Sequence, residues 1–309
     1  MEFKHIPVLL DQVLDGLNIK PDGIYVDGTL GGAGHSLEIV KRLDGGRLIG
    51  IDQDENALKK AGEVLKDYGD KVTLVHNNFE NMDLVLDELG IDKVDGVLLD
   101  IGVSSHQLDE ASRGFSYHKD SQLDMRMDRT SSLSAWNVVN EYSQEELASI
   151  LWDFGEEKWA KRIAEFIVEE RGKKSIDSTL ELVEVLKKAI PAGARKDNHP
   201  GRKTFQAIRI EVNRELEVLT NVIPKVVKRL NKSGRLCIIT FHSLEDRIVK
   251  DSYKELFKDC ICPPEIPICM CDKEREIKII TRKPLVGTRE EIEENPRARS
   301  AKLRVAEKI

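Results

Sequence analysis

The 309-residue sequence has no excess of positive charge: 55 acidic side chains against 48 basic ones leave a formal net charge of −7. A chain of that balance has no global attraction for nucleic acid, so any polyanion site must be built from local basic clusters. Long apolar runs are missing too, and none approaches the roughly 18 residues of a membrane span. The opening residues, with Glu2, Lys4, His5 and Asp11 among them, lack the apolar stretch of a signal peptide. Cysteine is scarce, and the five present are odd in number and clustered late, which is no secreted disulfide framework. These absences predict a soluble, cytoplasmic, reduced protein. The length allows one large domain, or a domain carrying an insertion.

What is present is organised around Val26-Asp27-Gly28-Thr29-Leu30-Gly31-Gly32-Ala33-Gly34-His35. The β-type run Gly23-Ile24-Tyr25-Val26 precedes it, and Ser36 to Leu43 follows with apolar residues at helical spacing. Strand, glycine turn and helix let a ligand approach backbone N–H groups; an ordinary tight turn is the alternative. The dinucleotide pattern G-x-G-x-x-G is absent, because Ser36 and Leu37 stand where its last glycine should fall. An acid followed by a glycine-rich loop fits instead the first motif of S-adenosylmethionine-dependent methyltransferases.

Arg47 to Asp52 reads as a second strand ending in an acid. In nucleotide-binding α/β folds a carboxylate there takes hydrogen bonds from ribose hydroxyls, roughly 20 residues beyond the glycines. A helix cap is the other reading, since Asp54-Glu55-Asn56 opens the next helix. Lys71 to His76 and Val94 to Asp100 read as the third and fourth strands, the last almost continuously apolar, as a strand covered on both faces should be. The alternation predicts an α/β, doubly wound parallel sheet with ligand at the strands' carboxyl ends.

Then the alternation stops. From Ser104 to about Thr204 no buried strand is recognisable, so 105–204 reads as a helical insertion dividing a sheet domain into 1–104 and 205–309. Arg113-Gly114-Phe115-Ser116-Tyr117 and Leu123 to Asp128 read as ordered loop. Ser143 with Glu146, and Ser178 with Glu181, are capping-box pairs. They open helices with Leu147, Ile150, Leu151 and Phe154 on one apolar face and Leu182, Val185, Leu186 and Ala189 on the other. Trp159, Ile163, Phe166 and Ile167 continue at helical spacing and are expected in the core. Beyond the insertion, Ile208, Val212, Leu216 and Leu219 make one helical stripe, and Pro224 is expected to start a second helix. Gly234 to Phe241 reads as a fifth strand, delivering His242 and Ser243 to the same edge as Asp100. Glu276 to Ile280 and Lys302 to Ala306 read as the final strands.

Several stretches together resemble one family. They are Asp27 to His35, Leu99-Asp100-Ile101-Gly102-Val103-Ser104-Ser105-His106-Gln107-Leu108-Asp109, Arg113-Gly114-Phe115-Ser116, and Phe241-His242-Ser243-Leu244-Glu245-Asp246-Arg247. All are similar to motifs of the RsmH (formerly MraW) methyltransferases, and the resemblance runs from His5-Ile6-Pro7 to the arginines near the C-terminus. It implies a Rossmann-like methyltransferase sheet, S-adenosylmethionine as cofactor, and methylation of the N4 amine of a specific cytidine in the decoding region of small-subunit (16S) ribosomal RNA. The implied partner is that RNA or the assembled small subunit, with neither DNA nor membrane. The resemblance also implies that Ala33, Gly34 and His35 contact S-adenosylmethionine and that Asp52 holds its ribose. Phe79 and Asp100 would lie near the adenine, with Gln107 completing the site. By residue type alone, Phe79 fits a loop aromatic packed on the sheet equally well, and His35 a polar first-turn residue.

The chemistry is an in-line attack by an amine on a sulfonium methyl, which needs positioning and electrostatics but no metal. The cytosine N4 lone pair is delocalised into the ring, so a hydrogen-bond acceptor on the amine would help. Many amino-methyltransferases carry Asp/Asn-Pro-Pro-aromatic after the fourth strand; this chain has Asp100-Ile101-Gly102-Val103, leaving Asp100, Ser104, His242 and Ser243 as candidates. For RNA phosphates, Lys187, Lys188, Arg195, Lys196, Arg202, Lys203, Arg209 and Arg214 cluster at the insertion's exit, and Arg297, Arg299, Lys302 and Arg304 form a second group. Solvated charged faces are the alternative. Cys260-Ile261-Cys262 and Cys269-Met270-Cys271 are either free thiols or a four-thiolate zinc site. Three other functions remain open at this level: methylation of a protein or small molecule, a nicotinamide oxidoreductase, and a non-catalytic ribosome-assembly factor.

Overall fold

The computed structural model describes residues 7–196, 199–263 and 268–309, so Glu2, Lys4, His5 and Ile6 lie outside it. Two compact units divide the chain, residues 1–102 with 216–309, and residues 103–215.

The first unit is built on seven strands. They are β1 (Ile24–Asp27), β2 (Arg47–Asp52), β3 (Val72–His76), β4 (Val94–Asp100), β5 (Leu230–Thr240), β6 (Ile277–Ile279) and β7 (Lys302–Lys308), in the order β3-β2-β1-β4-β5-β7-β6. β1 to β5 are parallel, whereas β7 pairs antiparallel with both β5 and β6. From β1 the chain moves outward to β2 and β3, then returns to place β4 on the other side of β1. That reversal opens a crevice at the carboxyl ends of β1 and β4, where open α/β sheets bind ligands. Helices cover both faces because the strands are apolar on both. Val26, Ile49, Val97, Leu99, Leu236 and Ile238 pack in one cluster, and Tyr25, Leu48, Leu98, Cys237 and Ile239 in another.

Pro224 does not start a helix. It sits inside the helix Glu215–Arg229, and the break falls earlier, at Arg214, which caps the helix Gly201–Asn213 in the left-handed region. Proline in a helix interior removes one hydrogen bond and leaves the carbonyl four residues back without its donor. Here Pro224 and Thr220 are both exposed, so that carbonyl faces water while Val222, Ile223, Val226 and Val227 fill the buried side.

The second unit is helical among its described residues, apart from an isolated bridge between Gln122 and Ser178. Capping boxes at Ser134–Asn137, Ser143–Glu146 and Ser178–Glu181 start three of its helices. Leu147, Ile150, Leu151, Ile163, Ile167, Leu182, Leu186 and Phe205 share its core. The boundary expected at 204/205 lies instead at 215/216. Phe205, Ala207, Ile208 and Val212 pack with the insertion's own helices, so the helix Gly201–Asn213 belongs to that unit. Trp159 is not core either: it precedes the helix Ala160–Arg171 and is 36% exposed. The loop through Leu123–Asp128 is ordered by two polar anchors. Buried Arg113 donates to the carbonyls of Arg126 and Met127 at 2.9 and 3.0 Å. Asn213 accepts from Met127 N and donates to Met125 O, both at 2.8 Å.

Candidate active site

The carboxyl ends of β1, β2 and β4 bring three aspartates to one edge of the sheet. Asp27, ending β1, is buried and holds the glycine turn in place. It accepts from Thr29 N at 3.0 Å and from Ser36 Oγ at 2.6 Å. Between those anchors Gly31 and Ala33 take the left-handed conformation, with φ of +47° and +60°. For alanine this is a costly conformation, and such outliers concentrate where function fixes the backbone. Ala33 immediately precedes the helix Gly34–Val40. At Gly28 a side chain has no room, since a Cβ would fall 2.5 Å from Leu99 Cδ2 and 3.1 Å from Phe79 Cβ.

Asp52, ending β2, reaches back to the same turn. Its Oδ2 accepts from Gly31 N at 3.0 Å and its Oδ1 from Asp54 N at 2.8 Å. Burial, the largest influence, pushes its carboxyl up to about 6. Asp54, not Asp52, caps the following helix, accepting from Asn56 N.

Asp100, ending β4, is the most perturbed of the three. Its backbone N–H donates to Thr29 Oγ1 at 2.6 Å, tying β4 to the glycine turn. Its Oδ2 lies 3.8 Å from His35 Nδ1, while Oδ1 is buried without a hydrogen-bond partner among the described residues. Burial first, then the negative fields of Asp27 and Glu245, push its carboxyl up to about 8, against an opposing pull from Arg297. His35 is fixed from its other side, with Nε2 2.9 Å from Val8 O. Phe79 is half-buried in a short 3₁₀ turn and packs beside the core cluster that contains β4.

After β5, His242 begins the helix Ser243–Phe257, and Glu245 completes a capping box with it. Fully buried Glu245 accepts from Phe241 N at 2.8 Å and His242 N at 3.2 Å, and its Oε1 stands 3.0 Å from His242 Nε2. The imidazole of His242 is thereby engaged with the helix start. Ser243 is the first residue of that helix.

Sequence reasoning passed over Asp27, Thr29 and Glu245 as individual contributors. The signal for Glu245 was available: an acid three residues after a helix-starting residue is a capping-box spacing, disguised here by histidine in place of serine or threonine. Ser104 and Gln107 belong to the helical unit. There they cap the helix Ser105–Asp109 reciprocally, Ser104 N to Gln107 Oε1 at 3.0 Å and Gln107 N to Ser104 Oγ at 3.2 Å.

The basic clusters divide on inspection. Arg209 is clamped to Glu215 by two bonds of 2.7 and 2.8 Å, and Arg304 and Lys302 both pair with Asp246. Lys187 and Lys188 pair with Glu184 and Glu170, and Lys203 donates to Glu156 O. Arg195, at the end of a 3₁₀ turn, has a buried Nε without a partner among the described residues. Lys196, Arg202 and Arg214 are exposed. Arg297 and Arg299 lie on the 3₁₀ turn Pro296–Arg299. The four late cysteines converge, with all their sulfurs within 4.8 Å of one another.

The MraW methylase family model matches residues 2–309. The chain belongs to the MraW methylase family. As one of these methylases it uses S-adenosylmethionine as its methyl donor, which removes the nicotinamide alternative. Two relatives, each called ribosomal RNA small subunit methyltransferase H, cover the whole chain and are wholly covered by it. One, from Clostridium botulinum (strain Kyoto / Type A2), is 63% identical; the other, from Clostridioides difficile (strain 630), is 61% identical. An rRNA methylase structure from Streptococcus thermophilus overlays with a TM-score of 0.44 at 12% identity, covering 99% of each chain. No helix among the described residues is long and apolar enough to cross a membrane.

Proposed function

We propose that this MraW methylase transfers a methyl group from S-adenosylmethionine to the N4 amine of a specific cytidine in the decoding region of small-subunit ribosomal RNA. The observation that carries the reading is Asp100, a partly buried acid at the end of β4 with one carboxyl oxygen buried and unpartnered among the described residues. The relatives' shared name supports ribosomal RNA as the substrate.

The residues present fit the cofactor. Gly31, Gly32 and Gly34 leave part of the turn's backbone accessible, Asp52 has acceptor capacity left beyond the two amides it holds, and Phe79 offers an apolar wall. In this reading Ala33, Gly34 and His35 line the methionine part, Asp52 takes the ribose hydroxyls, and Phe79 and Asp100 border the base. When bound, S-adenosylmethionine supplies an electrophilic methyl on a cationic sulfur. Asp100 then has two tasks. Neutral near pH 7, it tolerates partial burial beside Asp27 and Glu245; brought close to a positive charge, it gives up its proton to solvent, which its quarter-exposed side chain reaches, and becomes an acceptor. An ionised Asp100 would orient the N4 amine, draw its lone pair out of conjugation and stabilise the positive charge developing on nitrogen. Thr29 fixes the backbone of Asp100 and His35 stands beside its carboxyl. His242 and Ser243 start a helix, so they are weaker candidates for that role.

N4 of a paired cytosine is inaccessible to a donor held at a sheet edge, so the target nucleotide has to be unpaired or flipped out. The exposed basic side chains of the helical unit, Lys196 and Arg202 with their neighbours Arg195 and Lys203, are proposed to contact backbone phosphates and to position the RNA. Mass spectrometry of ribosomal RNA nucleosides tests the whole reading. Cells lacking the gene should lose one N4-methylcytidine, and assembled small subunits should be better substrates in vitro than protein-free RNA. A methyl on ring carbon 5, or equal methylation of many unrelated cytidines, would overturn it.

A further inference from the structure

Among the described residues between the helix Ser243–Phe257 and β6, Ile261, Ile268 and Met270 are 58%, 75% and 82% exposed and build no apolar core. The described residues there form no helix or strand, and long connections of that kind need another source of order. The sulfurs of Cys260, Cys262, Cys269 and Cys271 meet at its base, although the two pairs are separated by six residues of chain.

Their spacing is informative. Cys269 Sγ lies 3.5 Å from both Cys260 Sγ and Cys271 Sγ, and Cys271 Sγ lies 3.8 Å from Cys260 Sγ. A zinc–sulfur bond of about 2.3 Å in a tetrahedral site requires sulfur–sulfur edges of about 3.8 Å. A disulfide requires about 2.05 Å, so these sulfurs are not bonded to one another. Backbone amides also point at the sulfurs: Ile261 N at Cys271 Sγ, 3.4 Å; Cys262 N at Cys260 Sγ, 3.4 Å; and Met270 N at Cys262 Sγ, 3.3 Å. Thiols are poor acceptors, whereas thiolates gathered around a cation gain from such donors. The ligand set is purely sulfur and offers no open coordination position, which makes it a structural site.

We propose that Cys260, Cys262, Cys269 and Cys271 bind one zinc ion that staples this loop, a site separate from the methyl-transfer chemistry at the ends of β1, β2 and β4. The fifth cysteine, Cys237, is fully buried in β5 and serves as an internal control. The experiment uses untagged full-length protein purified under reducing conditions without chelator. Elemental analysis should give about one zinc per chain, a thiol reagent should react slowly with the untreated protein, and an organomercurial, which caps the thiolates, should release the zinc to a colorimetric chelator. The double variant C260S/C269S should lose that zinc. Should the variant fail to fold, the metal content and thiol kinetics of the unaltered protein decide the matter alone. Protein with less than about a tenth of an equivalent of zinc and promptly reacting thiols would overturn the proposal. So would two disulfides, or iron in place of zinc.

Discussion

The two units handle buried charge in opposite ways. In the helical unit each buried charge meets a partner of suitable sign: Arg113 the carbonyls of Arg126 and Met127, Asp124 the Arg126 guanidinium at 2.6 Å, and Glu215 the Arg209 guanidinium. In the sheet unit acids crowd instead: burial pushes the carboxyl of Asp27 up, and burial together with the negative fields of Asp27 and Glu245 pushes up that of Asp100. The first arrangement is what a scaffold needs. The second stores unfavourable electrostatics that a bound cation can relieve, which is how a site differs from a support.

The contrast is most directly broken at Asp100. Asp100→Asn keeps the shape but removes the acceptor, and methyl transfer should fall by about 10²- to 10⁴-fold, the usual range for a group engaging a proton in flight. A rate within threefold of the parent in a folded variant would move the acceptor elsewhere. On the scaffold side, Arg113→Ala strands the carbonyls of Arg126 and Met127 and should cost about 2–5 kcal/mol by denaturant unfolding, about 1–3 kcal/mol for each unsatisfied group. A loss under 1 kcal/mol would show that the loop does not depend on it.

Stability against pH separates the two kinds of burial. Asp100, at about 8, and Asp52, at about 6, bind protons more tightly folded than unfolded. Their contribution is therefore fully present below about pH 4 and is lost as pH rises through 6 and then 8. Ligand-free protein should lose stability across that window, and Asp100→Asn should remove its upper part; an unchanged pH profile in the variant would refute the assignment. A smaller effect is expected at Asp52→Ala, which should weaken S-adenosylmethionine binding by about 1–3 kcal/mol in calorimetry. Unaltered affinity would take Asp52 out of the ribose role. The smallest change should come from neutralising Arg195, Lys196, Arg202 and Lys203 together, which should lower RNA affinity and flatten its salt dependence. The same variant should bind S-adenosylmethionine as before, and an unchanged salt slope would return these side chains to ordinary solvated surface.

The parallel strands were readable because apolar runs ending in acids have few other meanings, and the glycine turn was readable from its break with the dinucleotide spacing. Periodicity showed the apolar face of the helix at Ile208 and Val212 but not which core it packs in, so the boundary was set eleven residues early. Arg214 broke the stripe through a left-handed conformation that its side chain does not advertise, while Pro224 was tolerated because it lies on the wet side of its helix. At the candidate site, sequence indicated that Asp52 and Asp100 each end a strand of the sheet. It did not reveal that Asp52 accepts from Gly31 N, or that Asp27 and Glu245 bear on Asp100, because those relations exist only between segments far apart in the chain.

The antiparallel placement of β7 between β5 and β6 has a consequence for the order in which the protein can be made. When β5 leaves the ribosome its outer edge is unpaired, and β6 follows with no neighbour to join. Only after Lys302–Lys308 emerges can one strand satisfy both. The helical unit, made earlier and rich in local contacts, is free to fold during that wait. Until then the nascent chain displays an apolar open edge, the feature that invites pairing with the wrong partner. Chains halted before Lys302 should accordingly need chaperone protection that the full-length chain does not.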